Sequence, residues 1–176
     1  MPNRLTELTP TTQGLPTASG TQVLRGIFRT LTSEHRDLVR LLKELAASDN
    51  AHFRAARFAK AREELMAHEL GEMQVLYPRL RSQGLTYGVS EQHSASVRKL
   101  EVVVDRLSGY SFDHPEWTET VHTLVTILEE HVEEEESQFF ALAQEAIGAE
   151  RAEELDEQYE AFKAEFRASE HGERAV

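Results

Sequence analysis

The chain contains no cysteine. That absence removes disulfide frameworks, iron–sulfur clusters, thiolate zinc sites and cysteine nucleophiles together. Basic residues are also in deficit: 19 Lys and Arg stand against 31 Asp and Glu in 176 residues, a formal net charge of −12. Phosphate recognition needs a positive face, so this balance argues against nucleic acid as a partner. No apolar run approaches the roughly 20 residues that a membrane-spanning helix requires. The N-terminus has no apolar stretch of the kind a secretory signal carries. These absences predict a cytoplasmic protein with no membrane partner. Proline is scarce, and three of the five (Pro2, Pro10, Pro16) fall in the first 20 residues. Residues 1–20 lack any apolar period as well, which predicts a flexible arm. What remains is a 40% hydrophobic composition, enough for one unstapled core, and eight histidines as the source of chemistry.

From Thr21 onward the apolar spacing is helical almost throughout. A first helix is expected over about 21–47, with the stripe Leu24, Phe28, Leu31, His35, Leu38, Leu42, Leu45. Its alternating steps of four and three are the seam of an antiparallel bundle. A second is expected over about 52–81, with Phe58, Ala61, Leu65, His68, Glu72 and Val75 inward and Pro78 kinking its last turn. A third opens at the N-cap Ser90 and turns His93, Val97, Leu100, Val104 and Leu107 inward. A fourth, with Pro115 in its first turn, carries Trp117, Val121, Leu124, Leu128, His131, Glu135, Phe139 and Leu142 and ends at Gly148. The expected fold is all-α: an up-down-up-down four-helix bundle over 21–148, a short fifth helix over 149–169 on its exterior, and a frayed tail over 170–176.

The seams contain polar residues. Each of four helices places a histidine inward (His35, His68, His93, His131), and two add a glutamate one turn later (Glu72, Glu135). A lone seam histidine is ordinarily a core residue bonded to a carbonyl. Four of them with two carboxylates make a metal centre the better account, since buried ionisable groups are costly unless paired or metal-bound. In each His-x-x-x-Glu the two side chains share one helix face. The pattern also repeats: His35 with His68 and Glu72 in one hairpin, His93 with His131 and Glu135 in the other. Two half-sites imply two metal ions bridged by Glu72 and Glu135. Imidazole and carboxylate without sulfur suit iron ahead of manganese and zinc, and do not suit calcium. The ferritin-like alternative requires Glu-x-x-His, but Leu65 and Leu128 stand three residues before His68 and His131.

These residues resemble the hemerythrin-like (HHE cation-binding) family: His35 in SEHRDL, His68-Glu69-x-x-Glu72 in AHELGEMQVLYP, His93 in SEQH, and His131-x-x-x-Glu135 in EEHVEEEE. The resemblance covers about residues 23–148. It implies a hemerythrin-like bundle around two non-heme iron ions with an oxo or hydroxo bridge, and a small ligand such as O2, NO or peroxide. It also admits an enzyme, a diiron oxidoreductase acting on peroxide or O2. The alternative function is an iron- or oxygen-responsive regulatory module whose metal occupancy controls a protein-partner contact. A monomer or weak homo-oligomer is expected. The chain departs from the oxygen carriers of that family, which place a second histidine where Val97 stands and an aspartate five residues after the fourth-helix histidine. Glu69 is the candidate replacement, reaching the metal held by His93 and His131.

Other polar residues are expected at the surface: His52, His114, His122 and His171, and Glu133, Glu134 and Glu136 as a solvated face, with Glu134 a minor alternative ligand. Tyr77 could donate a hydrogen bond to the site, but packing at a helix boundary is its expected role.

Overall fold

The computed structural model describes residues 23–82 and 87–173. The expected arm over 1–20 lies outside the described residues, as do 83–86 of the second connection and the last three residues of the tail. Among the described residues there are helices and no strands: α1 (Ile27–Ala46), α2 (Ala51–Gly71), α3 (Tyr77–Ser82), α4 (Tyr87–Ser108), α5 (Trp117–Glu134), α6 (Phe140–Ile147) and α7 (Ala149–Glu173). α2 runs into α3, and α5 into α6, each through one wide π turn (Glu72–Leu76 and Glu135–Phe139). The result is the expected four-rod bundle with α7 laid along it. α1 lies between α2 and α5, α4 rests on α5, and α7 packs on α1, α2 and the first wide turn.

Local chemistry explains the boundaries. The Asn50 side chain accepts a hydrogen bond from the Phe53 amide at 3.0 Å and caps α2. α4 begins at Tyr87, ahead of the expected cap Ser90, and α5 begins two residues after Pro115 rather than around it. Gly148 (φ 80°) separates α6 from α7 with backbone that only glycine adopts readily. α7 spans 25 residues, running four past the expected end at 169.

The core has two apolar clusters. One joins Leu38, Leu42, Leu65, Leu100, Trp117 and Leu128; the other joins Phe28, Leu31, Leu76, Leu80, Phe140 and Tyr159. In sequence, His35 falls between Leu31 and Leu38, His68 between Leu65 and Leu76, and His131 between Leu128 and Phe140. The polar layer is therefore sandwiched between two dry ones.

The wide turns shift the packing phase by one residue. The straight-helix stripe expects Val75 on the second rod and Phe139 and Leu142 on the fourth; all three are only half-buried. Leu76, Leu80, Phe140 and Ala143 are buried in their place. Pro78 follows the first wide turn, and its ring would clash with the carbonyl four residues back, within that turn. The second wide turn has no proline, so the feature common to both is a glutamate, Glu72 or Glu135, at the first position.

Candidate metal centre

All seven residues singled out in the sequence lie inside the bundle: His35, His68, Glu69, Glu72, His93, His131 and Glu135 are each at most 4% exposed. They come from four rods, α1, α2, α4 and α5 with its wide turn. The histidines approach in pairs, with ring centroids 4.8 Å apart for His35 and His68 and 5.0 Å apart for His93 and His131.

Carboxylates stand between and around the pairs. Glu72 Oε1 is 3.4 Å from His68 Nε2, while its Oε2 is 3.8 Å from His93 Nε2. Glu135 Oε2 lies 3.3 Å from His35 Nε2 and 3.6 Å from His131 Nε2, and its Oε1 lies 3.0 Å from His93 Nδ1. Both glutamates thus touch both pairs. Glu69 Oε2 is 3.4 Å from His131 Nε2 and 3.9 Å from His93 Nε2. Two sets converge tightly enough for an ion, ligand atoms lying within 4.8 Å of one another: His35, His68 and Glu72 in one, and Glu72, His93, His131 and Glu135 in the other.

These contacts are close without being hydrogen bonds. His35, His68, His93 and His131 Nε2, His93 Nδ1, both oxygens of Glu69 and Glu72, and Glu135 Oε2 are buried and lack any hydrogen-bond partner. At about 1–3 kcal/mol for each buried unsatisfied group, such a layer would cost as much as the whole ~5–15 kcal/mol by which a domain is stable. Imidazole lone pairs and carboxylate oxygens converging on one space are the donor set of a transition metal, so the residues fit the dinuclear site that the sequence predicts.

The metal-free electrostatics follow from the same crowding. Burial opposes charge on His35, but Glu135 and Glu136 raise its pKa to about 9; His131 likewise reaches about 9 beside Glu135 and Glu69. Glu72 is pushed well above the carboxylate range by burial and by the facing Glu135 and Glu69. Glu135, although buried, is held well below that range by His131, His35 and His93. Protons therefore balance the carboxylates when no ion is bound, and an ion entering must displace them.

Outward nitrogens have acceptors of their own. His35 Nδ1 is 2.7 Å from Glu136 Oε1, and His68 Nδ1 is 3.0 Å from Glu34 Oε2. An ionised carboxylate can only accept, so each Nδ1 carries hydrogen; in the neutral ring Nε2 then turns its lone pair inward. Burial keeps His68 low in pKa, in that neutral form. Glu34 also accepts from Tyr159 Oη at 2.5 Å and from the Lys163 ammonium. Its burial opposes ionisation, yet the donors His68, Lys163 and Tyr159 hold its carboxyl at about 2.

Several expectations change here. Glu136 is only partly solvated: it is 30% exposed and pairs with His35 Nδ1. Glu133 and Glu134 are exposed, as expected of a solvated face. Tyr77 does more than pack; its hydroxyl donates to Glu135 Oε1 at 2.9 Å and its ring stacks on His93 at 4.1 Å. His52 and His122 are exposed and His114 is half-buried away from the site, while the side chain of His171 lies outside the described residues. Glu34, Tyr159 and Lys163 were missed. Glu34 carries no local signal in the sequence, because the histidine it orients is His68 on another rod and not its neighbour His35.

The wide turns serve this geometry symmetrically. In each, the amide five residues on donates to the carbonyl of the glutamate: Tyr77 to Glu72, and Phe140 to Glu135. Each of those two residues is aromatic and lies parallel to a histidine, Tyr77 on His93 and Phe140 on His35 at 5.8 Å. π turns are often found at functional sites.

The family model described as the hemerythrin HHE cation binding domain matches residues 26–143. A DNA nickase from Nostoc sp. (strain PCC 7120 / SAG 25.82 / UTEX 2576) is 29% identical over 136 residues, which is 76% of this chain and 38% of the nickase. The chain thus spans well under half the length of that relative. No solved structure matches it. With the family match covering two rods on either side of a buried His/Glu cluster, the chain belongs to the hemerythrin HHE cation-binding domain family.

Proposed function

We propose that this domain holds two non-heme iron ions and that the pair binds and reacts with a small oxidant: O2, peroxide or NO. The observation that carries the reading is the set of ten unpaired, inward-facing donor atoms in a layer closed above and below by apolar side chains. His35 and His68 would hold one iron, His93, His131 and Glu69 the other, with Glu72 and Glu135 shared. Bound there, the ions supply Lewis acidity and exchangeable electrons. The chain supplies the rest. Glu34 and Glu136 fix the imidazole tautomers. Tyr77 holds one oxygen of Glu135. The apolar clusters keep water from the faces of the site. A groove of about 990 Å3 between α1 and α5, floored by Val39 and Val132, reaches His35 and Glu136 and offers a small ligand an approach.

A second reading, a regulatory module, is favoured by one observation: α7 touches the surroundings of His68 through Tyr159. The nickase activity named for the longer relative is not carried over, and the acidic balance of this chain supports no nucleic-acid partner.

The test is anaerobic Fe(II) titration with metal analysis, then exposure to O2 or peroxide with optical detection. Two irons per chain and a new near-ultraviolet or visible band are expected, and Glu72→Ala should lose both irons together because Glu72 belongs to both groups. A single tightly bound iron unaffected by Glu72→Ala, or no spectral response to any oxidant, would refute the proposal.

A further inference from the structure

We infer that α7 is a working part of this metal centre: Tyr159 and Lys163, acting through Glu34, position His68, so metal loading and the seating of α7 on the bundle are thermodynamically linked. The inference rests on the metal-binding reading above and concerns how that same site is regulated.

The seating is intimate where it meets the ligands. A Cβ on Gly71 would come within 2.5 Å of the Tyr159 ring, and one on Gly26 would overlap the Ala152 carbonyl. Glycine at these two points, one before α1 and one ending α2, is what lets α7 approach so closely. Tyr159 is fully buried and Lys163 is 3% exposed, although both belong to a helix laid on the outside of the bundle. A buried ammonium needs a partner, and Lys163 has two: the Glu34 carboxylate, and Glu160 Oε1 at 3.4 Å, whose side chain is 53% exposed. Its ammonium also lies 4.9 Å from the centre of the Tyr159 ring.

Farther along, α7 is joined to α2 by Arg167–Glu64 at 2.7 Å and Arg62–Glu170 at 3.8 Å. These pairs are a quarter or more exposed, and exposed pairs contribute little. Among the described residues, the most deeply buried ion pair of α7 is the one to Glu34, and Glu34 is the acceptor that fixes His68. Tyr159 Oη is itself 3.1 Å from His68 Nδ1. The opposite ligand, His35, has no such tie: its acceptor, Glu136, comes from the wide turn of the fourth rod.

Linkage then acts in both directions. If the α7 contacts hold His68 ready for an ion, an ion on His68 must strengthen the α7 contacts by the same factor. Tyr159 and Lys163 are positioning residues, and α7 is the element through which occupancy would be felt at the surface.

The test uses the full chain. Hydrogen–deuterium exchange is measured across α7 with and without Fe(II) under argon, and iron affinity is measured in parallel for wild type, Tyr159→Phe, Lys163→Met and Lys163→Arg. Fe(II) should slow exchange in the Ala152–Lys163 stretch by roughly tenfold or more. Tyr159→Phe and Lys163→Met should each weaken the first iron by about 10- to 100-fold, as outer partners of ligating histidines typically do, and Lys163→Arg should recover most of the loss. Tyr159→Phe removes one oxygen and leaves the packing, so it keeps the test open should Lys163→Met fold poorly. Wild type binding iron with α7 exchange unchanged, and both variants binding as tightly, would overturn the inference and leave the metal reading standing. Wild type binding no iron would overturn both.

Discussion

Arg54 offers the sharpest separation of fold stability from metal chemistry. It is 4% exposed at the start of α2 and fastens two turns at the far end of the bundle. Its Nε donates to the Ser48 carbonyl at 2.6 Å, and its two terminal nitrogens donate to the Phe112 carbonyl at 2.9 Å and the Thr118 hydroxyl at 2.7 Å. The guanidinium also lies 5.9 Å from the centre of the Trp117 ring. A fourth contact, to the fully exposed Asp49 carboxylate, is discounted. Three charge-assisted bonds at the lower end of ~1.5–3 kcal/mol each put Arg54→Ala at roughly 4–5 kcal/mol. For a chain of this size that is a fall in Tm of about 10–15 °C. Arg54→Lys should recover only about a third, because one ammonium cannot reach three acceptors splayed for a planar fork. Fourteen residues at about 1.5 Å each place Arg54 some 21 Å from His68, so iron stoichiometry should not change. Thermal melts by circular dichroism, with metal analysis on the same samples, are the assay. Arg54→Lys melting within a degree or two of wild type would refute the argument. So would lost iron without lost stability.

Two further outcomes follow from the site. Glu136→Ala should weaken iron binding by about 10- to 100-fold by freeing His35 Nδ1, whereas exposed Glu133→Ala should leave it unchanged; equal effects in an iron titration would contradict the arrangement at the second wide turn. In the metal-free protein, His35 and His131 are raised from 6.5 to about 9, so the stability they contribute is complete below pH 6.5 and lost as pH rises through 9. With chelator present, Tm should therefore fall between pH 6.5 and 9 and respond far less once iron is bound; a chelated sample whose Tm holds or rises over that range would be the contrary result.

The buried histidine and glutamate cluster was legible in the sequence because each His-x-x-x-Glu is completed before the helix changes pitch. His68 to Glu72 and His131 to Glu135 are ordinary helical steps, and the alternation of three and four that marks an apolar seam carries straight through them. Beyond each glutamate the reading slipped by one residue, from Val75 to Leu76 and from Phe139 to Phe140. A π turn leaves no mark in composition; it shows only as a failure of phase, and short apolar stretches such as VLYP and FFALA accept either phase. Glu34 and Glu136 escaped for a related reason. Each sits one position off the seam, where a glutamate ordinarily faces water, and only a tertiary neighbour (Lys163 for one, His35 for the other) reveals its task. α7 was legible as a helix, but that it would contribute a buried lysine could not be read from its polar face.

The paired wide turns carry a consequence for how this domain can change. Each splices two differently indexed helices at a buried glutamate, with His68 and Glu72, or His131 and Glu135, upstream and the stacking ring, Tyr77 or Phe140, downstream. Removing one residue within a turn would return the rod to a single index and leave everything after it in its present packing phase, because each wide turn is where one extra residue is absorbed. Straightening a turn without a deletion would instead rotate everything after it by about 100° and carry the stacked ring away from its histidine. The buried histidines and glutamates of each rod lie upstream of either change, so the cluster and the aromatic ring stacked on it can vary separately.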